Sequence, residues 1–179
     1  APHTDVPETT HLPTPMPRPV ATGAPLKIVV IGALSTIKGA DVLEDVATEA
    51  ARRNAPIEFH LLGYGYRPLR GIVNHGAYSL SQLDEKLDNI KPHVVWFPAL
   101  WPETYSYTLS IALERCYPVV CPDLGAFIER TQERAHSSLL PWDIKPLDCA
   151  AFWRAYAQGA DLTSFVATVQ DDDSIELRE

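Results

Sequence analysis

The chain has 179 residues, 46% of them hydrophobic, a net charge of −8 and a pI of about 5.2. This length is enough for one domain with its own core, and the acid excess argues against nucleic acid as the main partner, because no basic stripe is available to neutralise phosphates. No apolar run reaches the roughly 20 residues that cross a bilayer, and the polar, proline-rich start lacks the basic-then-apolar pattern of a signal peptide.

Residues 1–24 hold six prolines and five threonines. This composition cannot bury a core and favours an extended, solvated chain, so the segment reads as a linker or a tail from a preceding domain. The pattern changes at Lys27. Lys27 to Ala33 is a continuous, largely β-branched run, the mark of a strand buried on both faces of a parallel sheet. Leu34 to Gly39 is a loop. A helix from Ala40 to about Arg53 follows, with Val42, Leu43, Val46, Ala50 and Ala51 on its apolar face. Ile57 to Leu62 is the second strand, and Gly63 to Tyr66 reads as a tight turn. Arg70 to His75 is a short polar strand at or near a sheet edge. Ser79 or Ser81 caps a helix to about Ile90, with Leu83, Leu87 and Ile90 inward.

His93 to Pro98 is the next strand, and the spacing predicts a helix leaving from about Thr104. Pro118 to Cys121 is another strand, and Gly125 to Arg134 is helical, with Asp123 as its cap. Ser138 to Leu140 is a last short strand. Asp148 caps a helix to about Gln158, with Ala151, Phe152 and Tyr156 on its apolar side, and Leu162 to Val169 is a weaker apolar stretch. The domain spans residues 25–166, and residues 167–179 are an acidic, solvated tail opening with Asp171, Asp172 and Asp173. Strands and helices alternate throughout, which predicts a Rossmann-like, doubly wound parallel sheet of about six strands with helices on both faces. Such sheets bind ligands beyond the carboxyl ends of their strands, at the switch in strand order.

Candidate chemistry therefore belongs to the loops after the strands. Lys38 follows the first strand, where its ammonium can pair with a diphosphate or lie solvated in a first helical turn. Ser35 and Thr36 offer hydroxyls to a ligand or to the helix start. Gly63-x-Gly65 is only loosely like a phosphate loop, and the Gly-x-Gly-x-x-Gly of dinucleotide enzymes is absent after the first strand. His75 and Gly76 can meet the edge of a base, or simply turn the chain. Glu103 stands just before a helix, where an acid either caps the helix or accepts from sugar hydroxyls beside an anion-binding N-terminus. Trp96, Trp101, Tyr105 and Tyr107 make its surround aromatic, and these rings read as core rather than as a sugar platform. Cys116, Cys121 and Cys149 read as reduced, buried thiols, and no His/Cys/Asp cluster has metal-ligand spacing. A receiver domain would need paired acids after the first strand and a phosphorylatable aspartate after a central one. Leu34-Ser35 and Pro98-Ala99 stand there instead.

With these positions in place, residues 25–160 resemble the C-terminal, donor-binding domain of a GT-B glycosyltransferase of the large retaining family 4 (group 1). Val30 to Leu43, Leu61 to Gly65, and Pro98 to Ala112 with Pro118 to Ala126 are similar to that family's Gly-Arg-Leu…Lys-Gly, Gly-x-Gly and Glu-x7-Glu stretches, and the fuller pattern resembles bacterial enzymes that build lipopolysaccharide O-antigen or other surface polysaccharides. The resemblance implies transfer of a hexosyl unit from a nucleotide-diphosphate sugar with retention, without a metal or other cofactor. Lys38 and Glu103 would be the catalytic pair, Lys38 on the diphosphate and Glu103 on the sugar. Ser35, Thr36, Gly63, His75, Gly76 and the amides of Thr104 and Tyr105 would complete the donor site. The implied partners are an N-terminal acceptor domain of the same enzyme and a saccharide or lipid-linked acceptor, and no nucleic acid. The implied setting is cytoplasmic, with peripheral docking at the inner membrane through the other domain. On this reading the chain is a fragment that binds donor and is inactive alone. Two positions depart from the pattern: the family's arginine falls on Ala33 and the second acid on Ile111, with Glu114 one turn further as a substitute. They leave a second reading open, a catalytically degenerate sugar-nucleotide-binding or scaffold module.

Overall fold

The computed structural model describes residues 12–160. The expected apolar stretch over 162–169 and the acidic tail lie outside them, as do the first residues of the expected linker. The elements run β1 (Leu26–Leu34), α1 (Ala40–Arg52), β2 (Ile57–Gly65), β3 (Ile72–Asn74), α2 (Leu80–Ile90), β4 (Val94–Trp96), α3 (Tyr107–Glu114), β5 (Val119–Pro122), α4 (Gly125–Thr131), β6 (Ser137–Leu140) and α5 (Pro146–Ala157). The strands form one six-stranded sheet in the order β3-β2-β1-β4-β5-β6, and every pairing is parallel. This is the doubly wound order expected from the alternation of strands and helices. The polar strand β3 lies at the edge, as its composition suggested.

The β-branched run of β1 is apolar without alternation because both of its faces are covered. Ile28 and Val30 pack with Leu43 and Val46 of α1 and Phe152 and Trp153 of α5. Val29 and Ile31 pack with Leu83 and Leu87 of α2, Leu109 and Leu113 of α3 and Phe127 of α4. The sheet is thus the middle layer of three, with a core on each side. Burying a leucine or phenylalanine of this kind contributes about 2 kcal/mol, which is why a short strand such as β4 is stable between two cores. Leu83, Leu87 and Ile90 face inward on α2 as the helical spacing predicts, and Ser79 and Gln82 form a reciprocal cap at its start.

Several element ends differ from expectation. Strand β2 runs on through Gly65, so Gly63-Tyr64-Gly65 is strand and not a turn. The reason is steric: a Cβ on Gly63 would lie 2.0 Å from the carbonyl oxygen of Gly32, its register partner, so glycine here allows two backbones to touch. Ala47, not Ala51, completes the buried face of α1. Lys145 and Pro146 start α5, placing Asp148 in its first turn, and Cys149, Ala150 and Trp153 join Phe152 in the core, while Ala151 and Tyr156 are half-buried. Leu124 precedes α4, and the Asp123 carboxylate instead accepts from the Trp142 amide (2.8 Å).

Residues 12–24 carry no regular element, as their proline content dictates, yet they lie against the domain. Pro15 is buried, the Met16 amide donates to the Cys116 carbonyl (2.9 Å), and Arg134 donates to the Pro13 carbonyl (2.9 Å). Cys121 and Cys149 are buried free thiols, pushed up in pKa by burial, and Cys116 is half-buried. No described helix is long and apolar enough to cross a membrane.

Candidate functional site

The chain leaves β1 outward through β2 and β3, then returns to place β4 on the other side of β1. The loops after β1 and β4 therefore diverge and open a crevice at the carboxyl ends of the strands. A cavity of about 220 Å³ lies there, lined by Gly32, Ala33, Lys38, Pro98, Glu103 and Thr108 among others. Lys38 and Glu103, 65 positions apart in the sequence, thus share one cavity. Tyr78, from the loop after β3, and Phe127, from α4, close its sides.

The two loops are fastened to each other. The Leu100 amide donates to the Ile37 carbonyl (2.9 Å). Gly39 takes a φ of 91°, and a Cβ there would lie 2.1 Å from the Pro98 carbonyl oxygen. Only glycine fits that left-handed geometry and that contact. Gly39 thereby sets where α1 begins and where Lys38, the residue before it, stands against the second loop.

Glu103 is held from the neighbouring βα unit. Its carbonyl accepts from the Ala126 amide (3.1 Å), and a Cβ on Gly125 would meet that same carbonyl oxygen at 2.8 Å. The glycine after β5 lets α4 approach the backbone of Glu103. Arg130 of α4 donates to the Ser106 carbonyl (2.9 Å) and to the Ser110 hydroxyl (2.7 Å).

Helix α3 begins at Tyr107, three residues later than expected. Ser106 is its cap, and its hydroxyl accepts from the Leu109 amide (3.3 Å). The amides of Thr104 and Tyr105 consequently lie in the loop ahead of the helix, and the free first-turn amides are those of Tyr107 and Thr108. The missed signal was Ser106 directly before the apolar-periodic residues, an ordinary N-cap placement. Thr108, which lines the cavity and stands 3.5 Å from where a Gly32 Cβ would be, escaped notice for the same reason.

The remaining candidates lie outside the lining of this cavity. Ser35 and Thr36 are exposed in the β1–α1 loop, where their carbonyls accept from the Ala40 and Gly39 amides. Gly63 bridges to Gly76, whose amide donates to the Asn74 side chain (2.8 Å). His75 turns back onto the sheet edge: its Nε2 is 2.9 Å from Nδ1 of His60, whose Nε2 is 2.9 Å from the Glu58 carboxylate. With Glu58 ionised the carboxylate accepts, so His60 carries its proton on Nε2 and His75 donates from Nε2. Burial, with the charges of His60 and Lys86, holds the His75 pKa below the usual histidine value.

Ala33 lines the cavity, and Ile111 packs against the α2–α3–α4 core. Glu114 ends α3, about 10 Å along the axis from Tyr107 at 1.5 Å per residue, and is not among the residues that line the cavity. Trp96 is core, but Trp101, Tyr105 and Tyr107 are exposed, against the expectation that these rings are buried. Among the described residues no group of three or more His, Cys, Asp or Glu side chains is placed to hold a metal ion.

No protein-family description matches the sequence, and no curated protein is similar to it. Solved structures do match. A lipopolysaccharide outer core galactosyltransferase, WaaB, superposes with a TM-score of 0.62 at 13% identity, over 90% of this chain and 50% of that one. HepE of Anabaena, solved with UDP, gives 0.58 at 16% identity, over 81% and 42%. TarM gives 0.53 at 16% identity, over 88% and 34%. The chain thus spans half or less of each of these structures. At this identity the likeness carries the architecture alone: a Rossmann-like α/β domain with the fold found in half of a GT-B glycosyltransferase.

Proposed function

We propose that this chain is the donor-binding half of a glycosyltransferase that transfers a hexosyl unit, with retention, from a nucleotide-diphosphate sugar during surface-polysaccharide synthesis. One observation carries the proposal: Lys38 and Glu103, from the two loops that diverge at the switch point, line the same cavity. The Lys38 ammonium pairs with the diphosphate and the Glu103 carboxylate accepts from sugar hydroxyls. The first amides of α3, at Tyr107 and Thr108, supply the positive end of the helix dipole. As the glycosidic bond breaks, negative charge grows on the leaving diphosphate, and preset donors stabilise that charge without having to reorganise. No protein metal is needed in this scheme. The acceptor, a saccharide or lipid-linked saccharide, belongs to a second domain of the whole enzyme, which is set in the cytoplasm or at the inner face of the membrane.

Calorimetric titration with UDP, GDP, dTDP and their sugar conjugates tests this. One diphosphate binds, and Lys38→Ala lowers its affinity by about tenfold or more, the worth of a charge-assisted contact. Glu103→Gln leaves the free diphosphate untouched and weakens the sugar conjugate. Diphosphate binding indifferent to Lys38→Ala overturns the assignment.

A second reading, a sugar-nucleotide-binding module without catalysis, is favoured by two residues. Ile111 is committed to the core, and Ala33 brings no charge to the cavity. Turnover of any sugar nucleotide by the whole protein eliminates it.

A further inference from the structure

The loop that carries Glu103 also carries three exposed rings: Trp101 at 63%, Tyr105 at 43% and Tyr107 at 79% relative exposure. A single exposed ring needs no explanation, but three between positions 101 and 107, beside a crevice, form a feature. Two of them are also held in place. The Tyr105 hydroxyl is hydrogen-bonded to the Ser110 hydroxyl (2.9 Å), and the Arg130 guanidinium lies 4.7 Å from the Tyr105 ring centroid. The same guanidinium is anchored on the Ser106 carbonyl and the Ser110 hydroxyl. Tyr107 is set nearly perpendicular to Tyr105, with centroids 5.0 Å apart and planes at 70°, and its backbone is fixed as the first residue of α3. An exposed side chain ordinarily keeps its rotamer freedom, whereas here a cation and the Ser110 hydroxyl hold the Tyr105 ring, and Tyr107 rests edge-on against that held ring.

We propose that Tyr107, resting on the Tyr105 ring that Arg130 holds and sharing its segment with the exposed Trp101, is a stacking platform for a pyranose ring of a saccharide. The face of an aromatic ring is electronegative and attracts the weakly positive C–H face of a sugar. A ring that rests on a held neighbour loses less conformational freedom when the sugar lands, so more of the contact energy appears as affinity. Thr104, exposed, and Glu103, half-buried, stand in the same loop as hydroxyl partners. The occupant is a saccharide rather than a protein surface, because the patch is a few rings flanked by polar side chains. At about 150–250 Å² for a whole aromatic side chain, three partly covered rings fall short of the roughly 800 Å² per partner that a stable protein interface buries. The platform goes beyond the donor reading, since it needs neither Lys38 nor a nucleotide.

The test is saturation-transfer NMR and calorimetry of the protein with neutral trisaccharides built from glucose, galactose or N-acetylglucosamine. At least one binds. Tyr107→Ala weakens it about tenfold or more, Tyr107→Phe keeps it because the ring face and not the hydroxyl makes the stack, and Lys38→Ala leaves it unchanged. Arg130→Ala, which frees the brace, falls between. Failure of all the trisaccharides to bind at millimolar concentration overturns the platform, as does binding that survives Tyr107→Ala. Sedimentation showing a dimer that Tyr107→Ala disperses, with no sugar bound, overturns it in favour of self-association. A parallel UDP titration separates the two proposals: trisaccharide binding without UDP binding sinks the donor reading and leaves the platform, and the reverse sinks the platform alone.

Discussion

On the β1–β2–β3 side of the crevice, backbone is pressed directly on backbone. Gly63 lies against the Gly32 carbonyl and bridges to Gly76, and Gly39 is wedged under the Pro98 carbonyl. On the β4–β5 side, apart from one close backbone approach of Gly125 to Glu103, the loop is held by hydrogen bonds from one helix. The Ala126 amide takes the Glu103 carbonyl, and Arg130 grips Ser106, Ser110 and the Tyr105 ring. The two arrangements should fail differently. A contact between backbones admits no added atom and fails at once, whereas a net of polar contacts loses strength one bond at a time. Lys38 belongs to the first wall and Glu103 to the second, so a proposed donor site depends on both kinds of support.

Gly39→Ala strikes where the walls meet and should have the largest effect. The new methyl would sit 2.1 Å from the Pro98 oxygen, at a φ of 91° that alanine disfavours. Shifting the second loop to admit it also breaks the bond between Leu100 and Ile37. We expect a loss of about 3 kcal/mol or more in urea denaturation, combining strain with overpacking. A loss under about 1 kcal/mol, a value typical of ordinary glycine replacements, would break the contrast between the walls.

Arg130→Ala removes three contacts from the second wall but leaves the Ala126–Glu103 bond and the Ser106 cap in place. The expected cost is about 1–2 kcal/mol, in keeping with hydrogen bonds from a charged group at a partly exposed site. Arg130→Lys should recover little of it, because a single ammonium cannot donate to two oxygens in a fixed fork and stack on a ring together. If Arg130→Ala proved as costly as Gly39→Ala, the second wall would be a single keystone and not a distributed net.

The same contrast explains which parts of the molecule could be read from sequence. Continuous apolar runs flanked by amphipathic helices announced the sheet and both its cores, because a strand covered on both faces has no alternative to burial. The place of Lys38, in the loop after the first strand, was legible since that loop is short. The second wall was not, because its geometry is set by partners distant in sequence. Nothing local in Thr104-Tyr105-Ser106 tells that Arg130 anchors this stretch outside the helix until Ser106 caps it. Gly63 was misread as a turn for a related reason: a glycine demanded by close approach of a neighbouring strand looks the same in sequence as one demanded by a turn. The exposed state of Trp101, Tyr105 and Tyr107 likewise depends on where the loop lies and not on their residue type.

Acidification should touch the first wall through His75, with a smaller effect than either substitution. His75 faces His60 and, behind it, Glu58, with Lys86 of α2 adding positive charge, and burial is the leading cause of its lowered pKa. His93 at the amino end of β4 is lowered too, first by burial and then by Lys27 and Arg18. A histidine whose folded pKa lies below the unfolded value of 6.5 takes up its proton more readily when unfolded. Stability is therefore full above that value and declines as the pH falls through 6.5 toward the folded pKa. Denaturation midpoints should drop between pH 7.5 and pH 5, and His75→Gln should remove part of the slope while leaving the His93 part. An NMR titration locates the effect: the His75 ring should titrate below 6.5, and amides of Gly76 and Tyr78 should shift with it while those of Glu103 and Ser106 hold still. Movement of both sets together would mean that the two walls respond as one body, and that their different construction does not make them independent.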